Sequence, residues 1–166
     1  AGAVVLSKIN KPGHGIIDFI LESDGRLADL LQVPAGGSRT PASTSSIGER
    51  MHYISMEGRE VFKFAVTAMK RTTVRIAERN GIKAEDIRWL IPHQANKRII
   101  DAAAEALGLD ASRIHFNIHK YGNMSAASTA VGLAEVVLNN GLKDGDIVLM
   151  VAFGAGMTWG SVLIKW

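Results

Sequence analysis

A histidine followed by two cations makes segment 92–98, PHQANKR, the first place where this sequence could do chemistry. His93 follows a short apolar run, where an imidazole serves either as a structural hydrogen-bonding group or as a catalytic one. Asn96 can cap a following helix, which puts Lys97 and Arg98 in its first turn, where each cation opposes the helix dipole by about 0.3–1 kcal/mol. Local rules are broken most often at functional sites. The two cations are therefore a candidate site for a phosphate or an acidic protein, with solvated surface charge as the alternative.

Two further segments carry groups that could donate hydrogen bonds into a pocket. Segment 121–128, YGNMSAAS, offers the amide of Asn123, which either caps a helix or donates into a site. Segment 153–160, FGAGMTWG, contains Gly-x-Gly, but no helix follows and the third glycine is misplaced, so it does not fit a dinucleotide-binding loop. It is either a plain hairpin turn or a turn whose backbone N–H groups stabilise an oxyanion.

The composition argues against several other kinds of site. The chain has no cysteine, so it contains no disulfide, no zinc–thiolate site and no thiol nucleophile. His115 and His119 are four residues apart, but they straddle the end of a predicted strand and would not share a helical face, so no metal site is expected. No G-x-S-x-G elbow is present. The net charge of +3 is compatible with acidic partners and does not identify nucleic acid.

Hydrophobic periodicity predicts the elements that position these segments. Apolar residues three and four apart predict helices at 56–80, 97–107 and 125–139. Alternating or short apolar runs between turn residues predict strands at 3–7, 15–22, 87–91, 113–118, 146–153 and 159–165. The turn before the last strand is too short for a crossover, so the last two strands should be antiparallel in a mixed sheet of an α/β fold. No apolar run approaches the roughly 18 residues that a membrane span needs.

Taken together, the chemical segments resemble those of β-ketoacyl-acyl-carrier-protein synthase III, a condensing enzyme of the thiolase fold. The resemblance lies in HQAN at 93–96, GNMSAAS at 122–128 and FGAGMTWG at 153–160, with MEGREVFKFAV at 56–66 in addition. These motifs occur in the family's order and approximate spacing, and the resemblance covers essentially the whole chain.

The resemblance implies a fold class and a division of the chain. The fold would be α/β and thiolase-like, with this chain as the carboxy-terminal half, built from a mixed five-stranded sheet and helices. Residues 1–36 would end the amino-terminal half, residues 37–55 would form a mobile loop near the active site, and residues 56–166 would form the carboxy-terminal thiolase-like domain.

The resemblance also implies an acyltransferase that initiates fatty acid biosynthesis. In this family a cysteine takes an acyl primer from acyl-CoA, malonyl-acyl carrier protein loses carbon dioxide, and the resulting enolate attacks the acyl-cysteine. His93 and Asn123 match the two donors that stabilise the enolate. For a neutral His93 to donate, its other nitrogen should accept a hydrogen bond, expected from the backbone. Phe153 matches an aromatic residue beside the malonyl carboxylate, and the N–H of Ala155 matches a donor to the acyl-cysteine oxyanion.

Binding residues are implied in the same way. The positions that match the lining of the CoA and pantetheine tunnel are Gly58, Phe62, Ala95 and Asn96. The positions that match the docking patch for the acidic acyl carrier protein are Lys63, Lys97 and Arg98. No cofactor is expected to be permanently bound, because acyl-CoA and malonyl-acyl carrier protein are substrates.

The missing cysteine is the main departure from the family pattern. It implies that the chain works only with a Cys-bearing amino-terminal half, within a homodimer, and that alone it would expose a large apolar surface. We expect the bacterial cytosol or the plastid stroma as its compartment, and neither nucleic acid nor membrane as a partner. Two alternatives stay open: another thiolase-fold condensing enzyme of polyketide or quinolone type, and a non-catalytic module that binds acyl carrier protein.

Overall fold

The computed structural model describes residues 1–139 and 141–166. Within these residues it contains six strands: β1 (Gly15–Ser23), β2 (Leu31–Gln32), β3 (Ser55–Met56), β4 (Ile87–Pro92), β5 (Ile147–Gly154) and β6 (Thr158–Lys165). It also contains five α-helices: α1 (Thr44–Gly48), α2 (Gly58–Arg79), α3 (Lys97–Leu107), α4 (Ile118–Tyr121) and α5 (Ala127–Leu138). No helix among the described residues is long and apolar enough to cross a bilayer.

The main sheet is mixed, as the sequence predicts. Its strand order is β1-β6-β5-β4, with β4 parallel to β5 and the other two pairs antiparallel. The predicted antiparallel pairing of the last two strands is thereby confirmed. Strand β1 pairs with β6 from Gly15 opposite Lys165 to Ser23 opposite Thr158. Residues assigned above to the end of the amino-terminal half therefore contribute the outer strand of this sheet, while the division at residues 36 and 55 stays a prediction.

Two of the six predicted strands are wrong, and the sheet has four strands where five were expected. Residues 3–7 have no regular structure, and the apolar side chains of Val4, Val5 and Leu6 are 58%, 93% and 79% exposed. A strand needs a partner for its backbone N–H and C=O groups, and no described segment pairs with this one. Segment 113–118 forms only one bridge, between Ile114 and Leu90, before α4 begins.

The three long helices form where the sequence predicts them. Helix α3 has the predicted bounds, because both of its ends are set by local signals: the Asn96 side chain accepts from the Arg98 N–H at 2.9 Å, and Gly108 has φ 67°. Helices α2 and α5 each begin two residues later and end one residue earlier than predicted. The predicted loop 37–55 contains the short helix α1, and its mobility stays a prediction.

Two helical layers cover the two faces of the sheet. On one face, α2 packs on β5 and β6 and against α3, around a core that includes Met69, Leu90 and Leu149. On the other face, α5 packs on β4 around a smaller cluster of Ile91, Val136 and Val148. Neighbouring residues on a strand point to opposite faces, so consecutive positions of β4 and β5 belong to different clusters. This layering places the carboxyl ends of β4 and β5 beside the amino ends of α3 and α5.

Candidate active site

One cavity of about 1290 Å³ opens where the carboxyl ends of β4 and β5 meet the amino ends of α2 and α5. It is lined by every residue that the sequence analysis assigned to catalysis or pantetheine binding: His93, Asn123, Phe153, Ala155, Gly58, Phe62, Ala95 and Asn96. These positions are spread over nearly a hundred residues of sequence. The fold brings all of them to one place, although their individual roles stay predictions.

His93 is a buried, oriented imidazole. Its backbone N–H donates to the carbonyl of Val151 at 2.7 Å, which fixes it at the end of β4 beside β5. The side chain is 9% exposed, and burial lowers its pKa below the ordinary value. Nδ1 lies 3.1 Å from Oγ of Ser128, so its partner is a side-chain hydroxyl and not the backbone group expected from the sequence. Nε2 has no partner among the described residues and is accessible from the cavity.

Asn123 lines the same cavity. The Ser125 N–H donates to Oδ1 of Asn123 at 2.8 Å, which identifies the oxygen side of the amide and leaves the NH₂ group available to a ligand. Helix α5 does not begin until Ala127, so Asn123 is not its cap. Ser125 has φ 52°, a conformation uncommon for residues other than glycine. Backbone strain of this kind is concentrated at functional sites.

The turn between β5 and β6 forms the next part of the wall. Phe153 is the penultimate residue of β5, and its ring is edge-on to the imidazole of His93, 5.7 Å between centroids and 71° between planes. Ala155 follows in the exposed turn, where its carbonyl accepts from the Thr158 hydroxyl at 3.3 Å. The turn is tight because Gly156 and the buried Met157 both have positive φ, 72° and 47°. It is a hairpin turn that also faces the cavity.

The three cationic residues do not line the cavity but lie near it. The guanidinium of Arg98 stacks over the ring of Phe62 at 5.0 Å, so its charge lies at the rim. Lys97 donates to both carboxylate oxygens of Asp101, at 2.8 and 2.7 Å, which offsets its unfavourable place in the first turn of α3.

Lys63, one turn along α2 from the cavity-lining Gly58, donates to Glu60 at 2.7 Å. Lys97 also lies 5.9 Å from the ring centroid of Phe116, so Arg98 differs from the other two cations in having no carboxylate partner among the described residues.

Gln94 is a functional residue of the HQAN segment that the sequence analysis did not interpret. Its side chain is fully buried and makes four hydrogen bonds. Its Nε2 donates to the carbonyls of Pro92 at 3.0 Å and His115 at 3.1 Å, and its Oε1 accepts from the N–H groups of Asn117 at 3.0 Å and Ile118 at 3.1 Å. It therefore ties the loop of His93 to the start of α4, which leads to Asn123. Its position within the HQAN motif was the only feature of the sequence that could have indicated this role.

Glu135 of α5 anchors the same segment from the other side, and it too was missed. Its carboxylate lies 3.1 Å from Nε2 of His115. It also accepts hydrogen bonds from Asn117 at 2.8 Å, Lys120 at 2.8 Å and Tyr121 at 2.7 Å. The hydrogen bond from Lys120, followed by those from Asn117 and Tyr121, lowers its pKa to about 2. No sequence spacing indicates this cluster, because its members lie on two elements.

No cluster of three or more potential metal ligands occurs among the described residues. His115 contacts Glu135, whereas His119 stacks on the ring of Phe116 at 5.4 Å between centroids. The two histidines that are four residues apart in sequence thus have separate environments. The site consists of hydrogen-bond donors, an aromatic edge and an apolar wall.

Comparison with known proteins identifies the family of the chain. The family model described as 3-oxoacyl-[acyl-carrier-protein (ACP)] synthase III C terminal matches residues 77–166. The β-ketoacyl-[acyl-carrier-protein] synthases III of Caldanaerobacter subterraneus and Clostridioides difficile are 50% and 46% identical to the chain, over all of it and 50% of each relative. The chain thus spans about half the length of the curated relatives it matches.

Solved structures show the same relationship. The 3-oxoacyl-[acyl-carrier-protein] synthase III of Aquifex aeolicus matches with a TM-score of 0.81 and 37% identity, over 96% of this chain and 47% of that one. The synthase III of Thermus thermophilus matches with a TM-score of 0.80 and 41% identity, over 94% and 47%. These matches confirm the resemblance and the thiolase-like fold. The chain belongs to the β-ketoacyl-acyl-carrier-protein synthase III family and corresponds to its carboxy-terminal part.

Proposed function

We propose that this chain supplies the oxyanion-stabilising half of a β-ketoacyl-acyl-carrier-protein synthase III, which condenses an acyl primer with malonyl-acyl carrier protein to start a fatty acid. One observation carries the proposal: the imidazole of His93 and the amide of Asn123, held on different loops, open into one cavity beside Phe153. Family membership supports the same activity.

The chemistry follows from where charge develops. When the malonyl thioester loses carbon dioxide, the electron pair of the broken C–C bond moves onto the thioester carbonyl as an enolate. His93 and Asn123 donate to that oxygen, and donors of this kind each contribute roughly 10²–10³ in rate. Burial lowers the pKa of His93, which favours the neutral imidazole, and a neutral imidazole can give the enolate oxygen a hydrogen bond. The edge of Phe153 gives the carboxylate an apolar neighbour and so favours its loss.

The enolate carbon then attacks the acyl thioester of a cysteine, forming the new C–C bond and releasing the thiolate. We infer that the Ala155 N–H stabilises the oxyanion of this step, because it lies on the exposed turn that lines the cavity. Gly58, Phe62, Ala95 and Asn96 line the same cavity, which supports them as contacts of a pantetheine arm. Acyl-CoA and malonyl-acyl carrier protein are thus both proposed as substrates.

The thiol must come from outside this chain, which has no cysteine. We infer that it comes from the amino-terminal half of the same enzyme, which forms a homodimer in the bacterial cytosol or the plastid stroma. Several large apolar side chains are exposed here, among them Val5, Leu6, Leu21 and Leu138 at 93%, 79%, 74% and 79%. Apolar exposure on this scale supports a surface that a partner covers.

The test is decarboxylation of malonyl-acyl carrier protein by the chain combined with a Cys-bearing amino-terminal half. We expect His93→Ala to lower the rate by roughly 10²–10³ while binding of the carrier protein is kept. The matched control is His119→Ala, because His119 is an exposed histidine outside the cavity. Full decarboxylation by His93→Ala would refute the catalytic role and favour a carrier-binding module.

Docking of the carrier protein has its own test. Lys63, Lys97 and Arg98 are proposed to receive it, with Arg98 dominant because its charge lies over Phe62 at the cavity rim. Arg98→Glu should raise the KM for malonyl-acyl carrier protein and leave kcat little changed, since the contact is uniform through the reaction. Arg88→Glu, an exposed arginine outside the cavity, is the control. Equal KM values for the two variants would exclude Arg98 from docking.

A further inference from the structure

We propose that the hydroxyl of Ser128 determines which ring nitrogen of His93 carries the proton, and that in the free protein this nitrogen is Nδ1. Ser128 is then a positioning residue, which acts on a ligand only through His93. The importance of this arrangement for condensation rests on the proposed function, whereas the arrangement itself does not.

The hydroxyl of Ser128 is buried and has few polar neighbours. Its residue is fully buried in the first turn of α5. Within the part of the chain that the structure describes, its hydroxyl oxygen has two polar neighbours: the carbonyl of Ser125 at 2.8 Å and Nδ1 of His93 at 3.1 Å. A hydroxyl has one proton to donate and lone pairs with which to accept. It can therefore donate to only one of these neighbours at a time.

Counting hydrogen bonds decides between the two arrangements. If Ser128 donates to the Ser125 carbonyl, its oxygen can accept from a proton on Nδ1 of His93, and both contacts are hydrogen bonds. If Ser128 donates to Nδ1 instead, its contact with the Ser125 carbonyl is lost, although that carbonyl still accepts from the Ser128 N–H at 3.1 Å. The first arrangement has one hydrogen bond more, which contributes a factor of roughly 2 to 10 in its favour.

The distances agree with the first arrangement. A separation of 2.8 Å is the usual length of an O–H···O bond, and 3.1 Å lies within the ordinary N–H···O range. Nε2, the nitrogen that faces the cavity, is then unprotonated and accepts hydrogen bonds in the free protein. This result differs from the simple expectation of a permanent Nε2–H donor.

The same contacts determine how His93 can respond to an oxyanion bound in the cavity. For Nε2 to donate, a proton must arrive there and the proton on Nδ1 must leave, both by exchange with water, while the Ser128 hydroxyl rotates to donate to Nδ1. Rotation loses only the contact with Ser125, whose carbonyl keeps its backbone partner. Ser128 therefore lets His93 change from acceptor to donor at small cost when negative charge develops in the cavity.

The experiment is a long-range ¹H–¹⁵N spectrum of the full chain labelled with [¹⁵N]histidine, at a pH where His93 is neutral. The signals of His93 are assigned by their absence from His93→Asn. We expect Nδ1 at the shift of a protonated nitrogen and Nε2 at that of an unprotonated one. A proton on Nε2 in the wild-type chain would overturn the proposal.

Two variants test whether Ser128 is the cause of the expected tautomer. Ser128→Ala removes the acceptor of the Nδ1 proton, so the ratio of Nδ1–H to Nε2–H should fall by roughly 2- to 10-fold. The matched control is Ser161→Ala, which removes another buried hydroxyl, one bonded to Thr72, and should leave the ratio unchanged. An unchanged ratio in Ser128→Ala would overturn the proposal. No substrate is involved, so the result is independent of whether His93→Ala abolishes decarboxylation.

Discussion

Replacing the buried Gln94 by methionine should release the segment that leads to Asn123. Methionine has nearly the same length and keeps the volume filled, but it cannot hydrogen-bond the backbone. Four hydrogen bonds to Pro92, His115, Asn117 and Ile118 are lost. At about 0.5–1.5 kcal/mol each, their sum is roughly 2–6 kcal/mol, and most of it acts on the local opening of residues 115–118.

Amide hydrogen exchange measures this opening directly. The N–H groups of Asn117 and Ile118 lose their acceptor in Gln94→Met, so their exchange should become at least tenfold faster, since about 1.4 kcal/mol corresponds to a factor of ten. Amides in the centre of the β5–β6 pair should keep their protection, because none of the four hydrogen-bond partners of Gln94 lies on β5 or β6.

Gln32→Met is the matched control, because the Gln32 amide makes a single long contact of 3.5 Å with the carbonyl of Asp29. It should leave exchange at Asn117 and Ile118 as in the wild type. If Gln94→Met also leaves these two amides unchanged, the idea that Gln94 holds the segment is wrong.

Two further predictions concern the helix on the other face of the sheet. Glu135 has a pKa lowered from 4.5 to about 2 in the folded protein, so its charge stabilises the fold fully above pH 4.5 and progressively less as the pH falls towards 2. Acid titration should show the stability difference between wild type and Glu135→Gln shrinking over that interval, and a constant difference would contradict this. Gly132→Ala would place a methyl group 2.8 Å from the Ile91 side chain and 3.0 Å from that of His115. Although alanine favours a helix by up to about 1 kcal/mol, overpacking of about 1–3 kcal/mol should lower the urea midpoint, and a raised midpoint would show that the layers can move apart.

The sequence was sufficient wherever the determining signal is local. Helix α3 has its predicted bounds because Asn96 caps its first turn and Gly108 adopts the left-handed conformation at its end. The β5–β6 pair was predictable because a short turn permits only antiparallel pairing. The motifs around His93, Asn123 and Phe153 also indicated residues that do line the cavity.

The sequence failed where a segment's conformation depends on a distant partner. Segment 113–118 alternates apolar and polar residues as a strand does, yet the side chain of Gln94 takes two of its backbone N–H groups, at Asn117 and Ile118. Residues 3–7 have the composition of a buried strand, but nothing among the described residues pairs with them. Strand formation requires a partner, and periodicity alone does not name one.

The sequence by itself determined the family, the long helices and several of the cavity residues, because these depend on residue types and short spacings. Only the tertiary structure decided how those residues are held. Ser128 lies 35 positions from His93, and Glu135 lies 14 to 20 positions from its partners. Hydrogen bonds across such separations form only after α5 has packed on β4, since packing alone brings the two elements within bonding distance.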